Sequence, residues 1–279
     1  MKTIQAKEIT SLVKQMCIKA AHELPKDVLL AIKKTYQKES GLSKHLMALM
    51  LKNAQIAKKE LYPLCQDTGT AVVFVEIGSE IFIKGNITKA IEEGVKQGYK
   101  EGFLRKSIVK DPLFKRKNTN DNTPPVIHYS FTNGNKLKIS LLLKGAGSEN
   151  KSVIKMFAPS ASLQDIKDFV IDTVKLAGAN ACPPFILGIG IGGNFEEVAK
   201  LSKKALLRKV GSLNKDKLYN TLEKDLLREI NKTKIGAQGL GGKITALDVF
   251  IEQAPCHTAS LPVAVNISCH VSRHVSEVL

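Results

Sequence analysis

The chain has no tryptophan, and aromatic residues make up only 5% of its 279 positions. That scarcity weighs against a surface built to stack unpaired nucleic-acid bases, although the formal charge of +16 invites such a reading. The lysines are spread over nearly every segment, with denser patches at 106–117 and 200–234, as on the surface of any lysine-rich enzyme. No stretch reaches the roughly 18 consecutive apolar residues that a membrane-spanning helix needs. The opening MKTIQAKEITSLVKQ has no apolar run followed by a small-residue cleavage site, so a cytoplasmic protein with no membrane partner is expected. There is no CxxC pair among Cys17, Cys65, Cys182, Cys256 and Cys269, which removes the usual signature of a zinc finger or ribbon. An odd number of cysteines without an export signal also argues against a disulfide framework and leaves metal or catalytic roles to be tested. Internal repeats and composition-biased linkers are absent as well, and no domain boundary announces itself.

What is present is a mixed α/β pattern with 43% apolar residues, enough for a sizeable core. The first sixty residues read as helices. Ile9, Leu12, Val13, Met16 and Ala20 recur on one helical face; Pro25 opens a second helix through Val28, Leu29, Ile32 and Tyr36, closed off by Gly41. A third helix from Ser43 turns Leu46, Leu49, Met50 and Ala54 inward, with His45 near its start read as structural. From Thr70 the pattern changes. Residues 71–77 and 81–84 read as a hairpin about Gly78-Ser79, and 126–131 and 136–143 as another about Asn133-Gly134-Asn135. The polar run KRKNTNDNTPP over 115–125 reads as an exposed loop. Helices are expected over 87–102, 162–177, 195–207 and 215–230, and strands over 185–191, 244–251 and 263–269. The expected fold is a helical N-terminal region (1–60) followed by mixed β-sheets surrounded by helices (61–279), forming one compact catalytic domain.

Several short motifs carry chemistry. Cys65-Gln66-Asp67-Thr68-Gly69 lies where the helical region gives way to the first strand, and it places a thiol beside an amide and a carboxylate. Pro63 stiffens the entry and Gly69 frees the exit. A cysteine packed as a small apolar residue explains the same spot equally well. Lys144-Gly145-Ala146-Gly147-Ser148-Glu149-Asn150 follows a strand, and its glycines let backbone N–H groups approach an anion; an ordinary glycine turn is the plainer reading. Cys182-Pro183-Pro184 sets a thiol on a rigid corner before the glycine-alternating run FILGIGIGG. Close approach of a ligand or of a packed helix would account for those glycines. The segment APCHTASLPVAVNISCH holds Cys256, His257, Cys269 and His270, a set suited to nucleophile–base chemistry or to metal ligation. Three cysteines on separate rigid loops suggest a shared metal cluster more than a nucleophile. On a four-iron cube they would leave one iron free to act as a Lewis acid, while a three-cysteine zinc site satisfies the same spacing.

Taken together, CQDTG, KGAGSEN, CPPFILGIGIGG, GLGGKITAL and APCHTASLPVAVNISCH closely resemble the class I fumarases and L-tartrate dehydratases, in the family's order, from about Leu46 to the end. The resemblance implies a 4Fe-4S cluster held by Cys65, Cys182 and Cys269. It implies substrate contacts from Gln66, Asp67, Arg105, the Gly147 backbone and His257, with Asp67 and His257 as catalytic groups that polarise or orient the departing hydroxyl. Ala146 stands where many relatives carry another glycine, and Cys256 stands at a variable position. The implied activity is reversible hydration of fumarate to (S)-malate, with L-tartrate dehydration as the alternative; a basic zinc-containing nucleic-acid-binding protein is the alternative of another class. Relatives encoded as one polypeptide continue into a further domain that supplies the catalytic base, whereas this sequence ends ten residues past Cys269. A separate, smaller beta subunit is therefore expected, in a higher oligomer of alpha–beta pairs.

Overall fold

A computed structural model describes residues 2–279, which gather into two compact units interleaved along the chain. The first takes residues 2–25, 53–146 and 273–279; the second takes 26–52 and 147–272. The elements are β1 (Lys2–Gln5), α1 (Ala6–His22), α2 (Lys26–Lys38), α3 (Gly41–Glu60), β2 (Thr70–Gly78), β3 (Ile81–Lys84), α4 (Ile87–Glu101), β4 (Val126–Thr132) and β5 (Leu137–Lys144). They continue with α5 (Ala146–Glu149), β6 (Val153–Phe157), α6 (Leu163–Ala177), β7 (Phe185–Gly193), α7 (Phe195–Ala205), α8 (Lys217–Lys232), β8 (Ala246–Cys256), β9 (Leu261–Ser268) and β10 (His274–Val278).

In the first unit, four strands run in the order β10-β5-β2-β4, and α1 and α4 cover one face. Ile9, Val13, Met16 and Cys17 of α1 meet Val73, Val75, Ile139 and Leu141 in one core. Helix α4 comes unusually close to α1: a Cβ on Gly94 or Gly98 would lie 2.7 Å from Cβ of Val13 or Cys17. Burial pushes the Cys17 thiol up to about 12, so it stays protonated and serves as packing.

Neither expected hairpin forms. Strand β2 is buried from Ala71 to Val75 and takes a partner along each edge, β5 antiparallel and β4 parallel, so β4 and β5 are held apart by β2. The connection between them steps around the end of β2, where Gly78 N–H donates to Lys136 O, Ser79 N–H to Thr132 O and Glu80 N–H to Gly134 O. Gly78 has no room for a side chain, since its Cβ would lie 2.2 Å from Gly134 O. Strand β3, deprived of β2, pairs in parallel with β1.

The second unit is built on the sheet β6-β9-β7-β8, in which β7 pairs antiparallel with β9 and parallel with β8. Val170 and Val174 of α6, Leu226 and Ile230 of α8, and Leu187, Ile189, Val249 and Val265 of the sheet share its core. Ser162 caps α6 through a reciprocal box with Asp165, and Asn194 caps α7. The buried seam of α3 is Ser43, Met47, Met50, Ala54 and Ala57, not Leu46 and Leu49; Leu49 is exposed, and the true seam keeps the four–three spacing. Gly41, expected to close α2, adopts a left-handed φ of +53° and is also the first residue of α3. Among the described residues no helix is long and apolar enough to cross a membrane.

Candidate active site

The first unit brings two of the motifs together. The Asp67 carboxylate accepts hydrogen bonds from Gly69 N–H (3.1 Å) and Ala146 N–H (2.7 Å), so the CQDTG turn is sewn to the glycine loop after β5. The anion that this loop engages is therefore, at Ala146, the protein's own carboxylate. Gly69 sits at φ +80° with its would-be Cβ 2.7 Å from the Lys144 carbonyl, an approach that no side chain allows. Around this contact the backbone is pinned from behind. Buried Tyr99 donates to the carbonyls of Gly69 (2.8 Å) and Thr68 (3.1 Å), and desolvation raises its hydroxyl pKa further above the ordinary phenolic value. Asn122 donates to Gly69 O and accepts from Ser107 N–H. Thr68 Oγ1 donates to the carbonyl of Arg105 at 2.8 Å, which fixes the Arg105 backbone to the turn while its side chain stays exposed. Cys65 is half-buried, and Gln66 is exposed.

The second unit assembles three more motifs. The carbonyl of Cys182 accepts from His270 N–H (3.3 Å) and lies 3.0 Å from His270 Nδ1, so the turn carrying Cys182 and the one carrying Cys269 touch directly. Gln238 N–H donates to Pro183 O, and Gln238 Nε2 lies 3.4 Å from His270 Nδ1; the GLGGK loop thus closes on both. Gly239 permits this, because its Cβ would lie 2.4 Å from that of Ala179. Cys182 is exposed in a left-handed conformation (φ 53°, ψ 67°), a strained corner for a residue with a side chain, and Cys269 is half-buried. Glu149, at the end of the glycine loop, pairs with Lys203 of α7 and accepts from Asn266 of β9.

The alternating glycines of β7 have a structural cause. A Cβ on Gly188 would lie 2.1 Å from Ser202 O, and one on Gly190 2.2 Å from Val198 O, so α7 lies directly on the strand. Cys256 ends β8, and His257 follows it in the exposed turn between β8 and β9, where its Nδ1 accepts from Ala259 N–H. Gly147 is exposed in α5. Among the described residues no group of three or more His, Cys, Asp or Glu side chains forms a metal site; Cys65 belongs to one unit, Cys182 and Cys269 to the other. None of the five cysteines forms a disulfide. A cavity of about 510 Å³ among α2, α8 and residues 210–213 holds none of the motifs, and its Asp27 and Asp248 carboxylates are engaged by the Val210 and Gly211 amides.

Residues that the sequence did not single out complete both halves: Tyr99, Asn122 and Arg273 in the first unit and Gln238 in the second. Asn122 lies inside the polar run expected to be exposed, yet it is fully buried. Arg273 is buried beside Asp67 and donates from Nη1 to the Asp67 carbonyl at 2.6 Å.

Residues 10–278 match the family model described as Fumarate hydratase (Fumerase), and the chain belongs to that family of hydro-lyases. It is 45% identical over 273 residues to a Methanocaldococcus jannaschii protein provisionally named L(+)-tartrate dehydratase subunit alpha, covering 95% of each chain. It is 30% identical over 269 residues to the L(+)-tartrate dehydratase subunit alpha of Escherichia coli K12, covering 95% of this chain and 89% of that one.

Proposed function

We propose that the chain is the cluster-binding alpha subunit of a cytoplasmic class I hydro-lyase that hydrates fumarate reversibly to (S)-malate. The observation that carries this reading is the assembly, by direct hydrogen bonds within one unit, of the Cys65-Gln66-Asp67-Thr68 turn, Ala146 of the glycine loop and the Arg105 backbone. Cys65, Cys182 and Cys269 would hold the 4Fe-4S group. Their chemistry fits: all are unbridged thiols on turns held by backbone hydrogen bonds, and none is sunk in the core as Cys17 is. When bound, that group supplies an iron without a protein ligand as a Lewis acid for a hydroxyl and its adjacent carboxylate.

The protein's own residues bind and orient the substrate. The exposed Arg105 guanidinium grips a carboxylate through two parallel N–H···O bonds, with its main chain anchored by Thr68. Gln66 and the Gly147 N–H supply neutral donors. Asp67 and His257 orient the hydroxyl that leaves as water and handle its proton. The base that removes the proton from the neighbouring carbon comes from a separate beta subunit, and alpha–beta pairs associate further. The relatives' names favour a second reading with the same chemistry, dehydration of L(+)-tartrate to oxaloacetate. The test is anaerobic assay of the reconstituted chain, alone and mixed with its partner, on fumarate, malate and L(+)-tartrate. Activity of the mixture on fumarate and malate supports the first reading and activity on tartrate alone supports the second; full activity of the isolated chain refutes the two-subunit assignment.

A further inference from the structure

Arg273 is an arginine with 2% exposure whose guanidinium contributes one short hydrogen bond, from Nη1 to the Asp67 carbonyl, while its buried Nε has no partner. A buried charge so sparsely paired is costly to keep for stability alone, since a well-packed apolar side chain would do as well. Its surroundings show what the charge does. The Arg273 carbonyl accepts from Leu143 N–H at 2.9 Å, which fixes its main chain beside the end of β5. From there the side chain reaches past Gly145, where an added Cβ would lie 3.0 Å from Asp67 Oδ2 and 3.2 Å from Arg273 Nη2. The guanidinium and the carboxylate thus both approach one glycine, where a Cβ would make each of them give way by a few tenths of an ångström.

We infer that Arg273 is a positioning residue for the Cys65-Gln66-Asp67 turn. Asp67 is held at two places by different partners: its carboxylate by the amides of Gly69 and Ala146, its carbonyl by Arg273. That carbonyl belongs to the Asp67–Thr68 peptide, which bonds to the carboxylate alone do not hold, at the exit of the turn. The guanidinium fixes that peptide, and a planar fork with delocalised charge does so over a reach that ammonium cannot reproduce. The functional importance of the turn rests on the hydro-lyase reading above; the positioning itself does not.

Full-length Arg273→Lys and Arg273→Met are compared with the wild type by amide hydrogen exchange and thermal melting, and then, with cluster and partner subunit present, by kinetics. The amides of Gly69 and Ala146 report directly on Asp67. In Arg273→Met their exchange should quicken about tenfold at temperatures well below the melt while the amides of β7 keep their protection. Arg273→Lys should fall between Met and wild type, and kcat should drop more than KM rises, with iron content unchanged. Faster exchange in an enzyme whose wild type neither hydrates fumarate nor dehydrates malate or L(+)-tartrate would sustain the positioning role and sink the hydro-lyase reading. Protection of Gly69 and Ala146 unchanged in both variants, or lost only in step with every other amide, would reduce Arg273 to a structural cation. If the methionine variant does not fold, the lysine variant decides on the same criterion.

Discussion

Gly188→Ala separates the two explanations for the glycine-alternating strand. The added methyl would stand 2.1 Å from the Ser202 carbonyl and 2.9 Å from Leu206 Cγ. Ordinary contact begins at 3.4 Å, so α7 must withdraw by 3.4 − 2.1, or 1.3 Å, along the face that buries Val198, Leu201, Ser202 and Ala205. A gap of 0.5–1 Å already forfeits about a quarter to a half of the dispersion energy of the atoms lining it. Burial of Val or Leu contributes about 1.5–3 kcal/mol each. Loosening the two larger side chains then costs about 1–3 kcal/mol, the range typical of overpacked cores. Removing a glycine from the unfolded chain returns about 0.5–1 kcal/mol. The net loss should be about 1–2 kcal/mol, read in urea denaturation as a lower midpoint at constant slope. If the glycines instead make room for substrate, Gly188→Ala would leave the midpoint in place and raise KM. That pattern would refute the packing account.

Other expectations follow from the cysteines and the charges. Replacing Cys65, Cys182 or Cys269 with serine should each abolish iron and labile sulfide binding, whereas Cys17→Ser and Cys256→Ser should retain both; loss of the cluster in Cys256→Ser but not in Cys269→Ser would overturn the ligand assignment. Because burial holds the Cys17 thiol protonated up to about 12, a thiol reagent near neutral pH should label it only after denaturation, while Cys182 and Cys256 react in the native metal-free chain. Arg105→Lys should raise KM with unchanged iron content, costing about 2–4 kcal/mol in transition-state binding; unchanged kinetics would return Arg105 to the surface. Glu223 is buried and bound to Arg208 at 2.6 Å, to Asn214 and to the Ile251 amide, so Glu223→Ala should destabilise the fold by about 3–5 kcal/mol, measured by denaturation.

Helix periodicity was legible because each amphipathic helix carries its own signal: the seams of α1, α6 and α8 stand in the sequence at three- and four-residue spacing. Strand pairing was not. Nothing local to Asn133-Gly134-Asn135 says that β2 will separate β4 from β5, since that arrangement is decided by a strand some fifty residues earlier, with Val73 paired to both Ile127 and Leu141. The motifs themselves were readable as chemistry, and the fold brings CQDTG to the glycine loop and CPP to SCH. The groups behind them were hidden for a physical reason. Tyr99, Asn122 and Arg273 act through burial, and a polar residue chosen to satisfy a buried carbonyl looks in sequence like any surface residue. The glycines of β7 carried both meanings in sequence, and only the distance to α7 supplies a cause for them.

The pairing of β10 with β5 gives the first unit a history in time. Residues 273–279 follow the whole of 147–272, yet they close the edge of a sheet whose other strands lie far earlier, with Leu137 and Leu279 exchanging backbone hydrogen bonds at the far end. On a translating ribosome β5 waits with an open edge, a surface prone to wrong pairings, until β10 has emerged. The Asp67 carbonyl waits equally long for Arg273. The turn that carries Cys65 is therefore braced only after Cys182 and Cys269 have been made, and any metal group supplied during synthesis meets a fully ordered Cys65 turn only once all three candidate ligands exist.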